Sequence, residues 1–283
     1  MSTDPSVTRG LHSRGVTAAA GFRAAGVAAG IKSSGSLDVA LVVNDGPAHD
    51  AAAVFTSNRI KAAPVLWTAQ CTLDGRFQAV ILNSGGANAC TGPAGFADTH
   101  RTAEHVAELL GVAPIEVAVC STGLIGERLP MPALLAGADA ACHSLSAEGG
   151  SAAAEAIMTT DSVPKLAAVP HREGWTVGGM AKGAGMLAPG LATMLVVLTT
   201  DAVADAATLD VVLRAATRVT FDRIDSDGAM STNDTVLLLS SGASGIRPDP
   251  DELAAAVTSV CADLARQLIG DAEGASKDIR IDV

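Results

Sequence analysis

The sequence contains no tyrosine, and its 283 residues include only five phenylalanines and two tryptophans. A core with so few aromatic rings must be built from small aliphatic side chains, and alanine, glycine and valine dominate the composition. Small side chains let layers of sheet and helix pack at close spacing. The length allows a substantial core in one or two domains.

Basic residues are also scarce. Lysine and arginine number 19 against 30 acidic residues, for a formal net charge of −11. This balance disfavours nucleic acid or an anionic membrane surface as a partner. No apolar run reaches the roughly 18 residues that a membrane span needs, and residues 1–15 lack the continuous apolar region of a signal peptide. We therefore expect a cytoplasmic protein.

Paired metal-ligand and redox motifs are missing as well. The five cysteines are scattered, without a pair at two-residue spacing, and the six histidines form no zinc motif. We expect no metal and reduced, unpaired thiols. Cys120 is the best-placed candidate for a nucleophilic thiol, but it ends an apolar strand pattern without a nearby group that would favour a thiolate, so a buried core thiol is the favoured interpretation.

Short apolar runs and amphipathic patterns predict a layered α/β fold. Strands are predicted over 37–44, 51–57, 77–84, 115–121, 174–181, 193–200 and 234–241, and helices over 94–111, 205–221 and 249–270. Strands and helices do not alternate regularly, so mainly antiparallel sheets fit better than a doubly wound sheet. No firm domain boundary is visible. The chain ends in "KDIRIDV", which reads as a strand and suggests that more sequence follows.

Two glycine-rich stretches directly follow predicted strands, "NSGGANACTG" (83–92) and "STGLIG" (121–126). Converging backbone N–H groups in such loops can bind anions, although a tight strand-to-helix connection is the simpler alternative. A third stretch, "GGMAKGAG" (178–185), matches neither the dinucleotide fingerprint nor the P-loop spacing, so we expect no nucleotide cofactor.

Thr193 stands where a glycine-rich, turn-prone stretch meets an apolar strand. Placed at its own N-terminus by cleavage after Ala192, a threonine would combine a nucleophilic hydroxyl with a base, the α-amino group, whose pKa is about 7.7 to 8.0. The Thr122 hydroxyl and the backbone of "STGLIG" are suitable donors for an oxyanion if they lie close. The alternative is that Thr193 is simply the β-branched first residue of a strand.

Several separated segments resemble, in order, the motifs of the glutamate N-acetyltransferase family, the ornithine acetyltransferases of arginine biosynthesis. They are "NSGGANACTG", "STGLIGERLPM", "AIMTTDSVPK", "GGMAKGAGMLAPGLATML", "FDRIDSDGAMSTNDTVLLLSSG" and "DAEGASK". The resemblance covers nearly the whole chain. It implies an α-β-β-α sandwich of the N-terminal-nucleophile type.

The resemblance also implies an activity. The precursor would cleave itself between Ala192 and Thr193 into an α chain, 1–192, and a β chain, 193–283. Thr193 would then take the acetyl group from N-acetyl-L-ornithine and pass it to L-glutamate through an acetyl-Thr193 intermediate. Some members also use acetyl-CoA as a co-substrate, and no other cofactor is implied. The two chains would assemble as an α2β2 heterotetramer.

The resemblance also assigns roles to individual positions of this sequence. The positions that match the family's oxyanion donors are Thr122 and Gly123. Those that match its substrate-binding residues are Thr159, Lys182, Thr193 and Glu273. Lys182 would pair with the α-carboxylate of an amino acid and Glu273 with a substrate ammonium group. The alternatives are a solvated surface lysine and a charge at a helix end.

Members of this family continue well past residue 283. The expectation is therefore a chain without the C-terminal part of such an enzyme. Two alternatives stay open beside the acetyltransferase: an amidohydrolase or aminopeptidase with the same type of nucleophile and water as acceptor, and an inactive truncated form.

Overall fold

The computed structural model describes residues 10–188, 194–277 and 279–281, and two β-sheets organise these ranges. Sheet 1 has the order β1-β2-β4-β5 and sheet 2 the order β3-β9-β8-β7-β6. Their strands are β1 (Phe22–Val27), β2 (Val39–Asn44), β3 (Ala51–Phe55), β4 (Ala79–Gly86), β5 (Val117–Leu124), β6 (Lys165–Pro170), β7 (Thr176–Lys182), β8 (Leu195–Thr200) and β9 (Thr235–Ser240).

Each sheet contains one parallel strand pair, β4 with β5 and β8 with β9, and the other pairs are antiparallel. The described helices are α1 (Ala63–Cys71), α2 (Gly92–Leu110), α3 (Met131–His143), α4 (Gly150–Ala156), α5 (Ala206–Val219) and α6 (Pro250–Gly270). Mainly antiparallel sheets were predicted from the sequence, and the pairing confirms this.

Side chains of β9 show how the layers are stacked. Successive side chains of a strand point to opposite faces. Leu237 and Leu239 join the core that also contains the apolar residues of sheet 1, whereas Val236 and Leu238 join a second core formed with α5 and α6. Sheet 2 therefore lies between sheet 1 and a helical layer. Helices α1, α2 and α3 contact sheet 1 or one another, which completes the predicted α-β-β-α arrangement.

All seven predicted strands and all three predicted helices are present, with ends shifted by a few residues. The elements that sequence patterns missed are β1, β6, α1, α3 and α4. The missed helices are short or rich in alanine, and all-round apolar composition gives little helical periodicity. The strand expected at the C-terminus is not found in the described residues there, because residues 279–281 lie outside any strand and are exposed.

Helix α6 is the one helix of the described ranges that is long and apolar enough to cross a membrane by length and composition. Its side chains Leu253, Val257, Val260 and Leu264 are buried in the core beneath sheet 2. A core helix accounts for this composition.

Gly26 in β1 allows α4 to approach the sheet at backbone distance. A Cβ at Gly26 would lie 2.0 Å from the carbonyl oxygen of Ala152, and a Cβ at Gly149 would lie 1.8 Å from the carbonyl oxygen of Ala24. Neither partner atom is the tip of a side chain that could move away. The contact between β1 and α4 therefore requires glycine on both sides.

We expect Gly26→Ala to lower the free energy of unfolding by about 1–3 kcal/mol, because overpacking forces the backbone apart. Urea denaturation measures the change. Gly10→Ala is the matched control, since a Cβ there would meet nothing within 4 Å. Equal stabilities of the two variants would contradict the close approach.

Candidate functional site

A cavity of about 290 Å³ opens where the carboxyl ends of β4 and β5 meet the loops of sheet 2. It is lined by Ala87, Thr122, Gly123, Leu124, Ile125, Thr159, Thr160, Gly185, Met186, Ser231, Thr232, Asn233 and Glu273. Four residues singled out from the sequence are among them, and they come from three distant parts of the chain.

Thr122 forms part of the wall of this cavity, and Lys182 contacts it from the protein interior. The Lys182 Nζ donates a hydrogen bond of 3.2 Å to the Thr122 Oγ1, and the lysine is only 1% exposed. An ammonium group can only donate, so the threonine oxygen accepts and its own hydrogen stays available for another acceptor. Thr122 itself lines the cavity. Lys182 does not itself line the cavity.

Gly123 allows β5 and β4 to come together at the cavity. Its φ of 127° lies in a region that favours glycine, and a Cβ there would lie 2.5 Å from the carbonyl carbon of Gly85. Both glycines belong to the stretches predicted as tight loops, "NSGG" and "STGL". In the structure they are the ends of paired parallel strands.

Thr159 and Glu273 lie on the open side of the cavity, and both are exposed. The Glu273 backbone N–H donates to the Ala184 carbonyl at 2.6 Å, which attaches the segment after α6 to the chain after β7. A Cβ at Gly185 would lie 3.2 Å from the Glu273 Oε2. The absence of a side chain at Gly185 therefore leaves space for the Glu273 carboxylate at the cavity. Glu273 lies three residues beyond the end of α6 and does not cap it.

A buried ion cluster behind the cavity holds these segments together. The Lys165 Nζ, with a side chain that is 0% exposed, lies 2.7 Å from the Asp161 Oδ1 and 2.6 Å from the Asp271 Oδ2. Asp161 also accepts hydrogen bonds from the backbone N–H of Gly183 at 2.6 Å and of Thr159 at 2.9 Å. Asp271 accepts from both the N–H and the hydroxyl of Ser162.

The charges of this region act on one another through a dry interior. Burial lowers the pKa of Lys182 to about 8, and it does so against the opposing effect of Asp161. Burial raises the pKa of Asp161, but Lys182 and Lys165 outweigh it and hold that pKa below its usual value.

Asp234, the residue before β9, contacts Met194, the first described residue after the 188/194 gap. Its Oδ1 accepts the backbone N–H of Met194 at 2.8 Å. The neighbouring Asn233 donates from Nδ2 to the carbonyls of Ala87 at 2.7 Å and of Ser121 at 2.8 Å, which joins sheet 2 to sheet 1. Ala192 and Thr193 lie outside the described residues.

The other sequence-derived candidates occupy different surroundings. All five cysteines, which fall within the described ranges, are free thiols. Burial raises the pKa of Cys120 to about 12, which disfavours a nucleophilic thiolate there. His171, Glu173 and Glu252 bring three ligand atoms within 4.8 Å of one another at the opposite end of β7. There Glu252 pairs with Arg172 at 3.1 Å, and the group lies away from the cavity.

Sequence reasoning missed Asp161, Lys165, Asp234 and Asp271. All four lie within quoted segments, Asp161 and Lys165 in "AIMTTDSVPK", Asp234 in "FDRIDSDGAMSTNDTVLLLSSG" and Asp271 in "DAEGASK", but none was assigned a role there. Lys165 and Asp271 are 106 residues apart in the chain, so no local pattern could pair them.

We expect Lys182→Met to raise the free energy of unfolding at pH 7. The lowered pKa means that the folded state disfavours the charged amine, at a cost of up to about 3 kcal/mol for a change from 10.5 to about 8. This cost is complete below about pH 8 and disappears as the pH rises to 10.5, because only the unfolded state binds the proton in that interval. Urea denaturation between pH 7 and 10.5 measures the difference, with the exposed Lys61→Met as control. A destabilised variant at pH 7 would contradict this account.

Comparison with known proteins identifies the family. The sequence model of the ArgJ family matches residues 23–283. The arginine biosynthesis bifunctional protein ArgJ of Streptomyces coelicolor is 68% identical over 268 residues, which is 95% of this chain and 70% of that protein. The protein of the same name from Mycobacterium tuberculosis is 64% identical over 283 residues, 98% of this chain and 70% of its own length.

Solved structures agree. A chain of ornithine acetyltransferase complexed with ornithine from Mycobacterium tuberculosis superposes with a TM-score of 0.63 at 67% identity, over 64% of this chain and 97% of that chain. An aminopeptidase from Ochrobactrum anthropi, described as a variant of the Ntn hydrolase fold, has a TM-score of 0.55 at 14% identity, over 95% of this chain and 92% of that chain. The second likeness confirms the predicted type of fold. Because the family model and these relatives cover most of its length, the chain belongs to the ArgJ family.

Proposed function

We propose that this chain is an acetyltransferase of arginine biosynthesis that moves an acetyl group from N-acetyl-L-ornithine to L-glutamate, with Thr193 as the nucleophile. Membership of the ArgJ family supports the general role, an acyltransferase of arginine biosynthesis. The specific reaction and the residues that carry it are the proposal.

The observation that carries the proposal is the convergence of a donor pair and a carboxylate beside Met194. Thr122, Gly123 and Glu273 line one cavity, and Asn233 in its wall is adjacent to Asp234, which holds the Met194 N–H. Thr193 is the residue bonded to Met194.

The reaction would follow two balanced steps. In the first, the Thr193 hydroxyl attacks the acetyl carbonyl of N-acetylornithine and its α-amino group takes the hydroxyl proton. The amide C–N bond then breaks, ornithine leaves with that proton on its amine, and an acetyl ester stays on Thr193. In the second, the neutral amine of glutamate attacks the ester and the ester C–O bond breaks. The proton that this amine loses passes to the threonine oxygen, and N-acetyl-L-glutamate leaves.

Each step passes through an oxyanion, and Thr122 is suited to bind it. Since its oxygen accepts from Lys182, its hydrogen can be donated toward the cavity. The buried ammonium behind it polarises that hydroxyl, and its charge acts strongly because the lysine side chain is almost completely buried. Direct pairing of Lys182 with a substrate carboxylate stays a prediction, since the group lies behind Thr122.

Glu273 supplies the negative charge that an ornithine or glutamate ammonium group would meet. Its side chain is exposed, so it can receive the substrate from solvent, and Thr159 lies on the same rim. The ion cluster of Lys165 holds both segments in place.

Self-cleavage between Ala192 and Thr193 into chains 1–192 and 193–283 is part of the proposal. The Mycobacterium tuberculosis structure supports it. A part of this chain amounting to 64% of its length matches 97% of that solved chain. By contrast, 98% of this chain matches only 70% of the ArgJ protein of the same species. The solved chain is therefore a much shorter polypeptide than the related protein, as a divided precursor would produce.

Three further parts of the proposal rest on family membership alone. They are the use of acetyl-CoA as a second donor, assembly of the two chains as α2β2, and a cytoplasmic location.

Two alternatives can be distinguished by measuring the turnover of N-acetylornithine with and without glutamate. A hydrolase of this nucleophile type would release acetate from N-acetylornithine without glutamate, whereas the transferase needs glutamate to turn over repeatedly. An inactive form would fold without turnover. Acetate release independent of glutamate would replace the proposed reaction with hydrolysis.

We expect Thr193→Ala to abolish both self-cleavage and acetyl transfer, because it removes the hydroxyl that both reactions use. Intact mass under denaturing conditions should show two fragments for the wild-type chain and one uncleaved 28.2 kDa species for the variant. Thr193→Ser, which keeps a hydroxyl, is the control and should still cleave. Cleavage of the alanine variant at this bond would refute the assignment.

We expect Thr122→Val to lower kcat for acetyl transfer by about 10²–10³ with little change in KM, as loss of one oxyanion donor does. Thr122→Ser should restore most of the rate, because it returns the hydroxyl both to the oxyanion and to Lys182. Steady-state kinetics with N-acetylornithine and glutamate measure both. An unchanged kcat in a folded valine variant would remove Thr122 from the mechanism.

A further inference from the structure

We infer that Asn233 is a positioning residue for the proposed oxyanion donors: from sheet 2, its side-chain amide fixes the backbone on both sides of Thr122 and Gly123. The inference rests on the proposed function, because it assigns Asn233 a role toward the pair to which the proposal gives the oxyanion. It goes beyond that proposal by adding a residue of the opposite sheet to the donor site.

The Asn233 side chain crosses from one sheet to the other. The residue lies two positions before β9, is only 6% exposed and lines the cavity. Its Nδ2 donates to the carbonyl of Ser121 in β5 at 2.8 Å and to the carbonyl of Ala87, the residue after β4, at 2.7 Å. Its Oδ1 accepts the Thr232 hydroxyl at 2.6 Å. Because only the amide nitrogen can donate to two carbonyls, these contacts fix the orientation of the side chain.

The hydrogen bond to Ser121 fixes the start of the donor pair. The carbonyl of Ser121 and the N–H and Cα of Thr122 belong to one planar peptide unit. Holding that carbonyl therefore sets the direction of the Thr122 N–H and the point from which the Thr122 side chain projects. The hydroxyl of this side chain is the group that the proposal directs to the oxyanion.

The hydrogen bond to Ala87 fixes the end of the pair. The Ala87 N–H donates to the Leu124 carbonyl at 2.9 Å, so Ala87 is attached to the residue that follows Gly123. Asn233 holds the Ala87 carbonyl and, through this residue, the backbone after Gly123. One amide thus restrains the chain on both sides of two consecutive residues.

Glycines make this restraint necessary, because they leave the backbone around the donor pair free to adopt several conformations. Gly123 pairs with Gly85, and at Gly86 the regular register of β4 with β5 is interrupted. Oxyanion donors act by being held in place before the reaction begins. Hydrogen bonds from the other sheet supply the order that the glycine-rich strand ends lack.

Asn44 makes the same kind of bridge at the other end of β9. It is the last residue of β2 and is 0% exposed, and its Nδ2 donates to the carbonyls of Ala48 and Ser240, each at 3.0 Å. Its Oδ1 accepts the Gly46 N–H at 3.0 Å. Neither Asn44 nor these partners are among the described residues that line the cavity. Asn44 is therefore a matched control for Asn233.

The test compares Asn233→Asp, Asn233→Ala and Asn44→Asp in the full 283-residue chain. Aspartate has nearly the shape of asparagine, but its ionised carboxylate cannot donate a hydrogen bond. Alanine removes the donors without adding a charge, so an effect shared by both Asn233 variants comes from the lost donors. The readouts are kcat and KM for acetyl transfer from N-acetylornithine to glutamate, self-cleavage by intact mass, and thermal unfolding by circular dichroism. Rates are expressed per cleaved chain, which keeps a defect in self-cleavage apart from a defect in transfer.

We expect both Asn233 variants to lower kcat by about 10-fold to 100-fold, because the oxyanion donors would be present but misplaced. KM should change little, since these donors act on the oxyanion more than on the bound substrate. Asn44→Asp should unfold at a lower temperature and keep the wild-type kcat. That contrast separates positioning from a loss of stability.

A double variant tests whether Asn233 acts through Thr122. Thr122→Val removes the hydroxyl, so Asn233→Ala should lower kcat by a smaller factor in that background than in the wild-type chain. Equal factors in the two backgrounds would mean that Asn233 acts elsewhere, and would overturn the inference.

A wild-type kcat in folded Asn233→Asp and Asn233→Ala, or an equal fall of kcat in Asn44→Asp, would also overturn the inference and leave the proposed function standing. Should the aspartate variant fail to fold, the alanine variant decides alone. A wild-type chain that neither cleaves nor transfers would overturn the proposed function, and the inference with it.

Discussion

The buried pairing of Lys165 with two aspartates is the interaction on which the site most depends. A single unpaired charge in such a place costs several kcal/mol, so the three groups must stay together once the chain is folded. Asp161 also receives the N–H of Gly183, and Asp271 lies two residues before Glu273. Because these contacts converge on one ammonium group, the segments around the cavity cannot shift independently of one another.

Small side chains make this arrangement physically feasible. Where Gly123 meets Gly85, two strands approach more closely than any side chain would permit, and the same holds where α4 meets β1. The abundance of alanine and glycine therefore has a structural reason: it brings backbone, and the polar groups attached to it, into close range. Thr122 and its buried partner Lys182 belong to two different sheets that such packing holds at hydrogen-bonding distance.

Local patterns predicted most of the fold but only part of the site. Strand and helix periodicity is a property of neighbouring residues, so β8, β9 and α6 could be recognised from the sequence. Thr122 and Gly123 were singled out within one short motif at the end of an apolar run, and both line the cavity, while their role as oxyanion donors stays a prediction. Asp161 and Asp234 could not, since their roles depend on which distant groups lie against them. The short alanine-rich helices were missed because their sequences are apolar on every side.

The sequence by itself determined the class of fold, the family and the set of chemically capable residues, because composition, periodicity and motifs are local. Only the tertiary structure decided that Lys182 is buried against Thr122 rather than solvated, that Glu273 lines the same cavity as Thr122, and that Asp234 is buried and accepts the Met194 N–H. Burial, desolvation and unsatisfied hydrogen bonds depend on contacts between residues far apart in the chain. Those contacts exist only once the two sheets have packed together.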